Sequence, residues 1–485
     1  MKRSIILSLC LCLLLASCAA PQSAVKEPLP TEAEGNKAVL LSSYALAEAL
    51  KPDLPEEPTH AEVEAFYDAN DPSVLGEEAY DAAQQAFWEE FDERSRAYYD
   101  ALKAFKGDGV DISATAGLLD YTKETSERIF AAHPGENTVY SPANLYLALS
   151  MLGAVTDGES RAQVVELLGQ ADMDAVRSAA NALWRTLYED TASGKTTLAN
   201  SVWLRDRQEY NEETVTQVAK DFYASLYSVP MGEKETDEAI AAWLNENTGG
   251  LLTDAAKEVT TEPETVLALL STLYFYDQWT EEFAEHLTAA DSFTAANGKE
   301  QSVDFMHKTQ TAGGYFRSEE EGYTVAQLAF RNGAKMRFLL PDEGVALEDL
   351  PIAGALQIYD MGVAIMAGKI EWSVPKFDVS ANLDLIEALS ELGVTDVFDE
   401  NKADFSPLAD FDEAVRVTKV QHAARVKVDE IGCEAAAFTA IIAEATAAMP
   451  EELPVIEMNL NRPFAFMITG VTGMPLMLGT VNSVA

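Results

Sequence analysis

Reactive side chains are scarce in this chain. His60, His133, His286, His307 and His422 are the five histidines in 485 residues. None stands in a His-Glu-x-x-His frame, the spacing that sets two imidazoles on one helix face for zinc. The four cysteines, Cys10, Cys12, Cys18 and Cys433, form no Cys-x-x-Cys pair. There is no Gly-x-Ser-x-Gly elbow for a nucleophilic serine and no glycine-rich phosphate loop. With 80 acidic residues, paired carboxylates occur at every spacing by chance and give no specific support to glycosidase chemistry. The chain therefore reads as a non-enzyme that needs no cofactor and no metal.

The segment with information is 424–448. Arg425-Val426-Lys427-Val428-Asp429 alternates as a strand does. Gly432 permits a backbone reversal. Beyond it, Cys433, Ala435, Ala437, Thr439, Ile441 and Ala443 form one alternate set, small or apolar throughout. Glu434, Ala436, Phe438, Ala440, Ile442 and Glu444 form the other, charged at both ends. As a strand, the segment would bury the first set and wet the second. Alanine also favours helix, so a mobile loop or short helix stays open on propensity alone.

The elements around that segment must hold it. Helical spacing appears at 117–132, 142–155, 159–169, 173–189 and 211–225. Strand-like runs appear at 197–204, 266–276, 323–330, 334–340, 370–377, 424–429 and 464–469. Helices dominate the first half and strands the second, an α+β arrangement. Ahead of this, residues 18–112 form an acidic extension or stalk with two proline-bearing stretches and one helix. Its helical marks are Tyr80, Ala83, Phe87, Phe91, Tyr98, Leu102 and Phe105. The first 17 residues read as a signal peptide, basic then apolar. A formal charge of −46 repels phosphate and anionic headgroups, which argues against nucleic acid and polybasic membrane docking.

Two resemblances follow. Leu15-Ala16-Ser17-Cys18 resembles a bacterial lipobox, which implies lipidation of Cys18 and export, either anchored on the outer face of a membrane or extracellular; the alternative is ordinary signal cleavage near Ala19-Ala20. The stretch Glu430 to Thr439, with Gly432, Cys433, Glu434, Ala435, Ala436 and Ala437, resembles the hinge of a serpin reactive-centre loop. The likeness runs over 113–485 through Asn137 to Pro142, Val266 to Phe283, Val374 to Phe377, Leu392 to Phe398, Asn461 to Phe464 and Pro475 to Gly479, in order.

The resemblance implies a serpin fold, with helices around three β-sheets and an exposed loop over about 430–460. It implies a monomeric serine protease inhibitor that traps its target protease as a covalent acyl complex while the cleaved loop inserts into the large sheet. The alternative is a non-inhibitory serpin that acts as a cell-surface binding module. By the same resemblance, Ser141, Asn144, Ser271 and His422 make the polar cluster under the sheet. Asn144 and Ser271 stand exchanged relative to the usual order, and they should share hydrogen bonds. Trp279 and Lys376, the latter paired with Glu430, mark the top where the loop goes in. Counting forward from Glu430 puts the scissile bond at Thr446-Ala447, with Ala445-Thr446 and Ala447-Ala448 next, while counting back from Asn461 lands near Glu452. Small residues there suit an elastase-like or subtilisin-like protease.

Overall fold

The computed structural model describes residues 43–49, 52, 54–107, 112–191, 194–433 and 453–484. The extension supplies a strand β1 (Ala45–Ala47) and helices α1 (His60–Ala69), α2 (Pro72–Leu75) and α3 (Glu77–Lys106). One helix was expected here; the described residues hold three. α1 and α2 are short, 10 and 4 residues, below the length at which periodicity stands out. Thr59 with Glu62 forms a capping box at the start of α1. α1 lies along α3 through stacked Phe66 and Phe87 and the Arg94–Glu62 ion pair. The far end of α3 is docked on the body. Tyr98 and Leu102 are buried, and Phe105 meets Trp184, Tyr188 and Tyr223 edge-on.

The body runs α4 (Ile112–Ala132), β2 (Thr138–Tyr140), α5 (Pro142–Ala154), α6 (Gly158–Leu167), α7 (Met173–Leu187), β3 (Glu189–Asp190), β4 (Gly194–Arg205), α8 (Glu212–Asp221), β5 (Ala224–Val229), α9 (Lys234–Glu246), α10 (Thr253–Glu258) and β6 (Leu267–Gln278). It continues with β7 (Ala289–Thr294), β8 (Glu300–Ser318), β9 (Tyr323–Ala329), β10 (Lys335–Pro341), α11 (Ile352–Leu356), β11 (Met366–Pro375), β12 (Phe377–Asp384) and α12 (Ile386–Glu391). Last come β13 (Gln421–Val428), β14 (Gly432–Cys433), β15 (Val455–Asn459), β16 (Phe464–Thr469) and β17 (Pro475–Val481). α5 is apolar on nearly every side and buried almost throughout, so it is the central helix against which the large sheet packs.

Eight strands form that large sheet, in the order β1-β5-β4-β6-β14-β13-β12 with β3 on β4. The other nine form one hydrogen-bonded network, β15-β11-β8-β9-β10-β16-β17-β2 with β7 on β8. Two of the three expected sheets thus run into each other through β8. Its residues 300–305 pair with β7, 305–315 with β11 and 315–318 with β9. Gly313 gives β8 room at this crossing, since a Cβ there would sit 2.4 Å from Ile370 Cδ1.

The two faces of β6 differ. Leu267, Leu269, Leu273 and Phe275 belong to the main core with α5. Ala268 and Leu270 belong to a second cluster with Trp243 and Leu244 of α9, which covers the outer face of the sheet.

Candidate functional site: the parted sheet

β6 and β13 are neighbours in the large sheet, yet no ladder joins them among the described residues. What lies between is β14, two residues long. Gly432 and Cys433 pair with Gln278 and Asp277 of β6, and Cys433 also pairs with Val428 of β13. Both pairings are antiparallel. Below β14 the strands stay parted, and cavities fill the space. One of about 420 Å³ is lined by 267–272 of β6, 417–423 at and before the start of β13, and the inner helix α5. A smaller one continues upward along Thr272 to Phe275 and Ala423 to Arg425.

The top of the gap is densely bonded. Trp279 is buried, stacked on Phe330 at 4.4 Å, and its indole N–H donates to the Asp429 carbonyl at 3.0 Å. Its backbone N–H donates to the Ile431 carbonyl. Lys376 meets Glu430 at 2.8 Å, and the Thr288 hydroxyl donates to the other Glu430 oxygen at 2.9 Å. Burial works to raise the Glu430 carboxyl, but the bonds from Lys376, the backbone and Thr288 outweigh it and hold it below the usual range. The Asp429 side chain accepts the N–H groups of Ile431 and Gly432, so this aspartate shapes the reversal. Gly432 is not in the left-handed region. Its lack of a side chain serves close approach: a Cβ would sit 2.3 Å from the Asp277 carbonyl.

Sequence reasoning passed over Asp277. Its carboxylate is buried and accepts N–H bonds from Gln278 at 2.8 Å and Asn332 at 3.3 Å. Burial lifts it to about 7, less the help of those amides, with Glu189 adding to the rise. Gly194, its cross-strand neighbour, leaves space for Asn332 and for this carboxylate. A carboxylate following Tyr274-Phe275-Tyr276 in an otherwise apolar strand was the available signal.

Lower down, Ser141 caps α5 by accepting the Asn144 N–H on Oγ at 3.1 Å. The Ser141 N–H donates to His422 Nε2 at 3.0 Å. His422 is buried and therefore pushed down to about 4, so it is neutral and carries its proton on Nδ1. The Asn144 amide donates to the backbone carbonyl of Ser271 at 2.9 Å. The Ser271 hydroxyl has no partner among the described residues, so the bond joining this pair runs to Ser271's backbone and leaves its side chain out. Ser141, Asn144, Ser271 and His422 are thus gathered in one place, as are Trp279, Lys376, Glu430, Gly432 and Cys433. Glu434, Ala435, Ala436, Ala437, Thr439, Thr446, Ala447 and Cys18 lie outside the described residues.

The body is thus α+β, with its eight-stranded sheet parted around the two-residue strand β14. The comparisons identify the family. A model of the family described as "Serpin (serine protease inhibitor)" matches residues 119–484, and the chain belongs to that family. It is 27% identical to Serpin-ZX of Arabidopsis thaliana over 362 residues, which covers 71% of this chain and 91% of that one. It is 28% identical to plasminogen activator inhibitor 1 of Neovison vison over 374 residues, covering 75% and 91%. Among solved structures it is similar to the thermophilic serpin tengpin in the native state, with a TM-score of 0.67, 24% identity and coverage of 78% and 95%. Human thyroxine-binding globulin complexed with its hormone is also similar, with a TM-score of 0.66, 22% identity and coverage of 77% and 99%.

Proposed function

We propose that this protein inhibits serine proteases by a suicide-substrate route, and the observation that carries the reading is the two-residue strand β14 above an open gap. The two ladders on β14 fix a register. Continued downward, they set 438–443 opposite 272–267 of β6, the stretch that lines the large cavity. Thr439 would then fall opposite Ser271 on one side and His422 on the other, and the two ladders agree on that level. His422, Ala424, Val426 and Val428 are the buried residues of β13. On insertion in this register, the loop residues facing inward with them would be Ala435, Ala437, Thr439 and Ile441, the small or apolar set. Phe438 and Ile442 would then face the α9 side, where Leu270 and Ala268 pack.

Filling the gap forms roughly ten ladder hydrogen bonds, each worth about 0.5–1.5 kcal/mol net, so the uninserted form is held kinetically. A protease that cleaves the loop, at Thr446-Ala447 in our reading, releases the arm that inserts while the acyl bond to the enzyme persists. Small residues around that bond suit elastase-like or subtilisin-like targets, since no Lys or Arg lies between Lys427 and Arg462. The chain works as a monomer, exported and held at the outer face of a bacterial membrane by lipid on Cys18.

The test is incubation with a panel of serine proteases read on a denaturing gel. A band that resists denaturation at the summed mass supports the proposal. Cleavage without such a band for every protease sinks it, and leaves a binding module as the better description.

A further inference from the structure

The large cavity is more than space waiting for a strand, because its wall has a chemistry of its own. Its volume of about 420 Å³ lies within the range of small-molecule pockets, roughly 300–1,000 Å³. Leu145 and Leu149 of α5, Leu252, Val259 and Leu267 give it apolar sides. Two oxygens in residues of that wall are buried without a partner among the described residues, Ser271 Oγ and Gln421 Oε1. The second is an acceptor only, so it requires a donor. The charged side chains of the lining, Glu262 and Lys419, are exposed. A charged ligand would thus lose its hydration with no buried counter-charge to meet it.

We propose that this cavity is a binding site for a small uncharged apolar molecule bearing one hydroxyl or N–H donor, and that its occupant competes with loop insertion. The competition rests on the inhibitory reading above: residues 438–443 and the ligand claim the same space. The ligand binds the uninserted form alone and shifts the balance toward it by mass action. In the presence of the ligand, a cleaved loop inserts more slowly, and more inhibitor is consumed as substrate for each protease trapped.

The probe is N-phenyl-1-naphthylamine, neutral and with a single N–H, titrated into the full chain and followed by fluorescence. Saturable binding to intact protein is expected, at least tenfold weaker after loop cleavage with an elastase. Ala148→Phe, which fills the cavity from α5, should abolish it, and Gln421→Leu, which removes the acceptor, should weaken it severalfold. Both variants are checked for an unchanged circular-dichroism spectrum; should Ala148→Phe not fold, Gln421→Leu decides alone. Parent-like binding by the folded variants overturns the proposal. So does equal binding before and after cleavage when cleavage has raised heat stability. If cleavage leaves heat stability unchanged, the insertion reading falls, and the cavity-filling variant decides the ligand site by itself.

Discussion

The two ends of the gap between β6 and β13 are built on opposite principles. At the top, the polar groups around β14 are answered: Glu430 by Lys376 and Thr288, Asp429 by two backbone amides, the Trp279 indole by a carbonyl. At the level of Ser271 and Gln421, buried oxygens lack partners among the described residues, which also leave a cavity there. Buried polar groups without partners each cost about 1–3 kcal/mol. The top is therefore a finished joint and the lower gap an unfinished one, and the free energy that insertion would release is concentrated away from where the loop starts.

The largest effect should come from making the lower gap impossible to fill. Ala435 follows Cys433 in the inward set, so Ala435→Arg would carry a charge into the core during insertion, at a cost of several kcal/mol. The covalent complex with a susceptible protease should vanish on a denaturing gel while loop cleavage continues at the parent rate. Undiminished complex would show that insertion does not run through this register. Next comes the joint itself. Gly432→Val would drive a side chain into the Asp277 carbonyl and the Gln278 Cα, both closer than 3 Å. Overpacking of this kind costs about 1–3 kcal/mol or more, and here it falls on β14. A lowered melting temperature of the intact protein is expected, with a far smaller change once the chain is cleaved and inserted if the strain is relieved by widening.

Much of the fold was legible in the sequence because the signals were local. α5 announces itself by Ser141, Pro142 and a continuous apolar run, and α3 by aromatics at three- and four-residue steps. The inward parity expected of the hinge from alternation falls, beyond Cys433, outside the described residues. Other features were not legible. β14 has only two residues, and its existence depends on β6 and β13, which are more than a hundred residues apart in the case of β6. The extra strand β1 is set by the free edge of β5, since Ala45-Leu46-Ala47 has no strand pattern of its own. The polar cluster was readable as a set of residues, but not which atom meets which. Asn144 reaches the Ser271 carbonyl, a backbone group that no side-chain inventory would single out.

The two ends should also respond to pH with opposite signs. Asp277 is raised to about 7 by burial, against about 3.9 in an unfolded chain. The folded state then holds the proton more tightly, so stability is full in acid and is lost as pH climbs from about 4 through 7. His422 is lowered to about 4, against about 6.5 unfolded. The unfolded state holds that proton more tightly, so stability is present above about 6.5 and is lost as pH falls toward 4. One pKa unit equals about 1.4 kcal/mol, so each swing is on the order of 3–4 kcal/mol. Asp277→Asn should flatten the alkaline side of the stability profile and His422→Gln the acid side, measured by denaturant unfolding from pH 4 to 9. If Asp277→Asn leaves the slope between pH 5 and 8 unchanged, the carboxyl titrates as an exposed one and the joint is wetter than its burial shows.

The smallest effect discriminates most finely between the two ends. Under the proposed insertion, the register of β14 would set Thr439 level with Ser271 and His422, as the one hydroxyl of the inward set. Once inserted, that hydroxyl would supply the partner that Ser271 Oγ lacks among the described residues. Thr439→Val keeps the shape and removes the hydroxyl; if position 439 enters the sheet only after cleavage, as proposed, the intact protein should unfold at the parent temperature. The cleaved, inserted form should lose about 1 kcal/mol, the net worth of one ordinary hydrogen bond. Pairing it with Ser271→Ala closes a double-mutant cycle. A coupling energy seen only in the cleaved form would place the two hydroxyls together. Equal losses in both forms, or strictly additive ones, would mean that the loop inserts one residue out of step, with its other alternate set facing the core.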